Sequence, residues 1–283
     1  SIRRGRMDFK FNFGLDDEEP VAGELGREEA GAVDATDAPG FDPAREITVL
    51  GKEEELDGEA IEALFEDVPI QGRTPIRRCR PPNDETLPEA LRAALGSSDL
   101  VPGVYEGGFK VWEGSIDLVE LLVREKVELK GKTVIELGCG HAFPGIHALQ
   151  EGASVDFQDY NAEVLEEVTV PNVIVNGGEA AAQRPPRYFA GDWGSLPAIA
   201  GEKKYDLVLT AETIYEEKAS HRLLLCIDKL LAPSGVAYVA AKSYYFGVGG
   251  STRGFEESVA RLTPHRSVSR ATLIQDGSSN VRE

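Results

Sequence analysis

Residues Thr133–Tyr160, TVIELGCGHAFPGIHALQEGASVDFQDY, set the tightest limit on what this chain can fold into. A β-branched apolar run ends in Glu136, and a turn built on Gly138 and Gly140 follows. A helix then opens with Pro144 near its first turn, and a second apolar run closes on Asp159. The spacing predicts strand, tight turn, helix and strand, with a carboxylate at the carboxyl end of the second strand. In open α/β sheets that edge forms the crevice where nucleotide-like ligands bind. The stretch therefore predicts a site for an adenosine-bearing cofactor.

Gly138 and Gly140 permit positive φ and close backbone approach, which a Cβ would block. Asp159 lies nineteen positions after Gly140, near the spacing at which an acid meets ribose hydroxyls. A phosphate-binding fingerprint also wants a glycine three residues after Gly140, and Phe143 stands there. Pyrophosphate resting on the helix N-terminus is thus disfavoured. S-adenosylmethionine has no phosphate and needs only the ribose acid and an open turn. Taken alone, the pattern also fits an ordinary βαβ unit.

The chain has 283 residues and a formal net charge of −19, enough length for one sizeable domain and a tail. Residues 1–60 hold seventeen Asp/Glu against seven Lys/Arg. Such an acidic, aromatic-poor opening is expected to stay solvated and disordered. Its sign opposes direct binding to nucleic acid, whose phosphates it would repel, and is compatible with a basic protein partner. Cys79, Cys139 and Cys226 are few and far apart, without the pairing expected of a disulfide framework or zinc site. His147, His221 and His265 lack partners at ligand spacing, so no metal is expected. No apolar run approaches the roughly 18 residues of a membrane span. A soluble, intracellular protein of a reducing compartment is expected.

Along the chain, residues 1–60 read as the acidic tail, 61–98 as a lead-in segment and 99–283 as one domain. Met7, the one methionine, reads as a natural start. The basic cluster Arg77, Arg78 and Arg80 reads as a solvated loop, with an import signal or substrate contact as the alternative. Ile116, Val119, Leu122 and Val123 repeat at helical spacing. Strands are predicted at 133–137, 154–158, 187–190, 205–210, 236–241 and 268–274, with helices between them, one at 217–231. Pro171 predicts a kink or a pair of short helices after Asp159. Alternating strands and helices argue a mostly parallel sheet covered on both faces. Asn280–Glu283 read as the start of a further strand, so the last strand is expected to be cut short.

Five patches should meet at the carboxyl edge of that sheet: VYEGGFKVWEGS (104–115), ELGCG (136–140), FQDYN (157–161), GDW (191–193) and LTAETIY (209–215). KSYYFGVGG (242–250) should border the same mouth. Together they resemble the protein-histidine N-methyltransferase family, over about residues 99–255 and the short Asp8–Phe13 opening. The resemblance implies an α/β fold, a Rossmann-like, seven-stranded, mostly parallel sheet of the class I methyltransferase type. It implies S-adenosylmethionine as donor, with S-adenosylhomocysteine as product, and a histidine of a large-subunit ribosomal protein as acceptor. A monomer is expected.

The resemblance also assigns Val111, Trp112, Glu113, Gly114, Ser115, Gly138, Gln158, Asp159, Tyr160, Gly191, Asp192, Trp193 and Ala211 to the cofactor. Glu136, Cys139 and Gly140 of the turn join them. Asp159 should accept from both ribose hydroxyls, with a helix N-cap as its bland alternative. Trp193 should wall the adenine, or else be a core tryptophan, and Asp192 should accept from the adenine amino group. Trp112 and Glu113 should close over the methionine end. Glu136 either supports the turn or meets the methionine ammonium. His141 is incidental on this reading.

Glu212 and Tyr215 resemble the acidic-x-x-aromatic motif of related protein methyltransferases, which helps hold the incoming side chain. With Tyr244, Tyr245 and Phe246 they should wall a slot for an imidazole, ordinary packing of aromatics being the alternative. A neutral imidazole nitrogen would attack the sulfonium methyl in line, while Glu212 accepts the other ring N–H and fixes the tautomer. Two other classes stay open at this point: a protein-lysine methyltransferase on the same scaffold, and a nucleotide-binding module or NAD-dependent oxidoreductase.

Overall fold

The structure, a computed structural model, describes residues 8–9, 41–48, 64–82 and 87–272. Its elements are β1 (Asp8–Phe9), β2 (Arg45–Ile47), β3 (Phe65–Val68), β4 (Ile76–Cys79), α1 (Glu89–Leu95) and α2 (Glu113–Arg124). Next come β5 (Thr133–Leu137), α3 (Phe143–Gln150), β6 (Ser154–Asp159), α4 (Ala162–Val164), α5 (Val170–Gln183) and β7 (Tyr188–Ala190). The chain continues through α6 (Leu196–Ala200), β8 (Tyr205–Ala211), α7 (Glu217–Leu230), β9 (Leu231–Ala240), α8 (Thr252–Leu262) and β10 (Ala271–Thr272).

The main sheet has the order β2-β7-β6-β5-β8-β9. Strands β5 to β9 are parallel, and β2 runs antiparallel to β7. The chain enters the sheet's middle at β5, winds outward through β6 and β7, then crosses to the other side of β5 for β8 and β9. Winding reverses between β5 and β8, so their carboxyl ends open onto the crevice where this class of sheet binds ligands. Both faces are buried, which explains why β5 and β8 read as nearly continuous apolar runs. Val134, Leu207 and Leu209 pack on one side with Leu118 and Leu122 of α2 and Ile146 of α3. Ile135, Leu137 and Val208 pack on the other with Leu223, Leu224 and Ile227 of α7.

A third cluster joins Phe65, Leu87, Leu91, Tyr105 and Phe109 to Val164 and Val168. It docks the lead-in segment on the domain. Asn172 and Asn176, one turn apart on α5, complete that docking. Asn172 Oδ1 accepts from the Cys79 amide at 2.6 Å, and Asn176 bonds both the amide and the carbonyl of Arg77. The side chains thereby satisfy a strand edge that would otherwise be buried unpaired.

The sheet has six strands among the described residues, where seven were expected. Of the strand expected over 268–274, Ala271–Thr272 is the strand among the described residues, and it pairs with Asp8–Phe9 outside the main sheet. The sixth strand comes instead from Arg45–Ile47, which had been grouped with the acidic tail. The expected start of a strand at Asn280–Glu283 lies outside the described residues. Arg77, Arg78 and Arg80 are not a solvated loop. They lie on and just after β4: Arg78 and Arg80 pair with Glu66 on one face of the hairpin and Arg77 with Asp67 on the other, so opposite charges face each other across the strands.

Pro171 acts one turn earlier than a simple kink would. A π-helical turn, Leu165–Thr169, precedes it. The wider turn accommodates the amide that Pro171 lacks. Among the described residues, no helix is long and apolar enough to cross a membrane.

Candidate active site

The run Gln158–Asn161 at the end of β6 ties together the loops around the crevice. Gln158 Oε1 accepts from the Gly138 amide at 3.1 Å and from Trp193 Nε1 at 2.8 Å, while its Nε2 donates to Gly191 O. Asp159 accepts from the Gly140 amide at 2.9 Å and the Asn161 amide at 3.2 Å. Tyr160 Oη accepts from the Asp42 amide and donates to Gly103 O. Asn161 holds Val104 O and the Glu106 amide. Four consecutive side chains thus anchor four separate segments.

The glycine turn is tight for steric reasons. Gly138 and Gly140 have φ of 61° and 47°, conformations that a side chain rarely adopts. A Cβ on Gly138 would also stand 2.6 Å from Thr213 Cγ2. Gly145, in the first turn of α3, does what Phe143 cannot. A Cβ there would lie 2.3 Å from Phe157 and 2.6 Å from Glu136 Oε2, so only glycine lets α3 sit this close to the sheet. Glu136 accepts from the Gly145 amide at 2.7 Å. It therefore pins the helix start to β5, and burial raises its carboxyl well above the usual range.

These elements enclose a cleft of about 390 Å³. Of the residues expected at the cofactor, Val111, Trp112, Ser115, Glu136, Gly138, Cys139, Gly140, Asp159, Tyr160, Gly191, Asp192, Trp193 and Ala211 line it. Burial raises Asp159 to about 6, against the lowering effect of its amide donors. Glu106, Glu212 and Glu216 add further carboxylates, facing Lys110, Lys218 and Arg222. Lys110 pairs with Asp99 and Arg222 with Asp192. An acid-rich lining in which two of these three cations are paired disfavours a pyrophosphate and suits a donor carrying sulfonium and ammonium charges. The buried Asp159 carboxylate beside an open glycine turn supplies the acceptor pair a ribose requires. The site fits S-adenosylmethionine on both counts.

A second cavity of about 300 Å³ adjoins the first. Leu100, Lys242, Tyr244, Tyr245, Phe246 and Val248 line it, and it shares Glu106, Trp112, Glu212 and Tyr215 with the cleft. Glu212 has φ 59°, left-handed backbone in a residue with a side chain, at a cost of about 1–2 kcal/mol. That conformation turns it at the end of β8 towards the amino end of α2. Oε2 accepts from Tyr245 Oη at 2.7 Å, while buried Oε1 makes no hydrogen bond of normal geometry. Burial raises the Glu212 pKa, and the Tyr245 hydroxyl, the Lys242 charge and the Gly114 amide oppose that rise. Tyr215 Oη donates to Glu106 Oε2, and burial followed by that carboxylate pushes the phenol up.

Some expected positions stand elsewhere. Gln158 lies behind the cleft and acts through the turn, Trp193 and Gly191. Glu113 and Gly114 begin α2 beside Glu212 and do not line the cleft; a Cβ on Gly114 would reach 2.9 Å from Glu212 Oε1. Tyr244 and Tyr245 line only the second cavity. Asp192 lines the cleft with Oδ1 held by Arg222 and Oδ2 by the Gly194 amide, and each oxygen keeps a further lone pair. His141, read as incidental to function, lines the cleft with its Nε2 bonded to Phe109 O at 3.0 Å, and burial lowers it to about 4. Sequence reasoning passed over Phe41, Glu106, Gly145, Thr213 and Lys242. Glu106 and Lys242 lay inside quoted motifs, whereas Phe41 carried no local signal.

A mostly parallel α/β domain with a cleft at its carboxyl edge belongs to the class of sheets that bind nucleotide-like ligands there. A family profile described as "Lysine methyltransferase" matches residues 103–246. The chain is 46% identical to the Dictyostelium discoideum "Histidine protein methyltransferase 1 homolog", covering 67% of this chain and 60% of that protein. It is 40% identical to the Bos taurus protein of the same name, covering 57% and 50%. It is 31% identical to Mus musculus "EEF1A lysine methyltransferase 3", covering 61% and 69%. The chain belongs to this methyltransferase family. It spans between half and six-tenths of the length of the two histidine enzymes.

Proposed function

We propose that this protein transfers a methyl group from S-adenosylmethionine to an imidazole nitrogen of a protein histidine. The observation that carries the reading is the shared wall: Glu212, Tyr215, Trp112 and Glu106 face both the donor cleft and the second cavity. An acceptor in the slot thereby meets the donor end to end. The donor supplies an electrophilic methyl on a sulfonium, so the chain's work is alignment and exclusion of water. Asp159 and the glycine turn hold the nucleoside. The Glu212 carboxylate accepts the N–H of a neutral imidazole, which fixes the tautomer and stabilises the charge that forms. Tyr245, bonded to Glu212, and Tyr244 wall the ring.

Aromatics and carboxylates would also receive a lysine, as the profile's description suggests. Two observations favour histidine. The nearer relatives are histidine enzymes. Lys242 also already places an ammonium in the slot, 5.5 Å from the Trp112 ring and 5.9 Å from the Tyr245 ring. A second ammonium would be repelled, whereas an imidazole is largely neutral at pH 7. The acceptor we propose is a large-subunit ribosomal protein, met by a monomer in the cytoplasm or nucleus. Incubation with methyl-labelled donor and cell extract, followed by hydrolysis and peptide mapping, tests this. Labelled methylhistidine in a ribosomal protein is expected, and labelled methyllysine would overturn the choice of acceptor.

A further inference from the structure

We propose that Phe41 is part of the donor site, forming the outer wall of the adenosine end of the cleft. It lies sixty-two residues ahead of the profile match, yet its ring lines the same cleft as Asp159 and Trp193. The inference rests on the donor reading above and adds a residue to it.

The segment that carries Phe41 is built into the sheet's carboxyl edge. The Asp42 amide donates to Tyr160 Oη at 3.1 Å, and Asp42 O accepts from the Asp192 amide at 2.9 Å. The Ala44 amide donates to Ser195 Oγ at 2.7 Å, and β2 then pairs with β7. Gly191 makes room for this passage. A Cβ there would stand 2.6 Å from Pro43 O and 2.7 Å from Ala44 Cα. The glycine of the Gly-Asp-Trp patch thus admits the chain segment as well as bordering the cleft.

Held in this way, Phe41 meets Tyr160 edge to face, with centroids 5.9 Å apart. The Arg222 guanidinium lies 4.1 Å from the Phe41 centroid and also bonds Asp192. Tyr160 adjoins the ribose acid, and Asp192 adjoins Trp193. The ring therefore bridges the two strand ends that a nucleoside would span. A ring stacked on a base or sugar excludes water and contributes through its face, and losing such a contact costs roughly tenfold in affinity.

Full-length wild type, Phe41→Ala and Phe41→Tyr are titrated with S-adenosylhomocysteine by calorimetry, with melting temperatures recorded without ligand. Roughly tenfold weaker binding is expected for Phe41→Ala, with affinity restored in Phe41→Tyr and little change in melting temperature. Unchanged affinity in Phe41→Ala, with or without a lower melting temperature, overturns the role of Phe41 alone. Wild-type protein that binds no S-adenosylhomocysteine overturns the donor reading and this inference together.

Discussion

Asp159→Asn separates what the buried carboxylate costs the fold from what it contributes to the donor. Burial raises this group from 3.8 to about 6. A raised acid pKa means that the folded state prefers the protonated form, so the stability present below pH 3.8 is lost as pH rises through 6. The difference of about 2 units corresponds to about 3 kcal/mol of lost stability at pH 7.5, and to about 1 kcal/mol at pH 4.5. Asparagine does not titrate and keeps nearly the same volume. It leaves one of the two amide donors, Gly140 or Asn161, facing an NH₂ group, at about 1–3 kcal/mol independent of pH. The stability of Asp159→Asn relative to wild type should therefore rise by about 2 kcal/mol between pH 4.5 and 7.5. Urea denaturation of ligand-free protein across that range measures the slope. Donor affinity should fall in the same variant by roughly 30-fold or more, because a charge-assisted acceptor for two hydroxyls has gone. A flat stability difference would refute the buried-carboxylate argument. Unchanged affinity for S-adenosylhomocysteine would refute the ribose assignment.

Four further outcomes are expected. Glu212→Gln should lower the single-turnover rate roughly 100-fold while S-adenosylhomocysteine binding stays intact; full transfer activity would remove Glu212 from the reaction. With a histidine acceptor, the rate should rise with pH to a plateau above about 7, since the attacking imidazole titrates near 6.5; a midpoint above about 9 would indicate lysine. Gly145→Ala should destabilise the fold by about 2–3 kcal/mol in urea, because its methyl would overlap Phe157 and Glu136. Gln158→Leu should weaken donor binding more than tenfold without touching the donor, as roughly 1 kcal/mol is lost with each of three loop-holding bonds; binding equal to wild type would show that the loops hold themselves.

The parallel sheet and the crevice were legible because their causes are local. A β-branched run into Gly138 and Gly140, followed by a helix and a strand ending on an acid, has few other ways to fold. Glu212 and Tyr215 were legible as residues of the crevice because they follow β8 directly, and the topology carries the end of β8 there. Gly145 was missed because its requirement comes from Phe157, a residue on the next strand. The pairing of Arg77, Arg78 and Arg80 with Asp67 and Glu66 was missed because no periodicity marks a four-residue hairpin strand.

The tail boundary shows where composition misleads. Residues 1–60 are acidic on average, and that average concealed Arg45–Ile47, three residues that complete the sheet, and Phe41, which reaches the cleft. Neither is visible in a window, because each is specified by its partner: β7 offers an open edge, and Gly191 offers the space in which Pro43 and Ala44 can pass. The same logic explains the run Gln158–Asn161. Its side chains reach the glycine turn, the Gly191 loop, the Gly103–Glu106 loop and Asp42, which approach from four different directions along the chain. A site assembled in this way should respond to changes in the anchoring side chains as strongly as to changes in the residues that touch the donor.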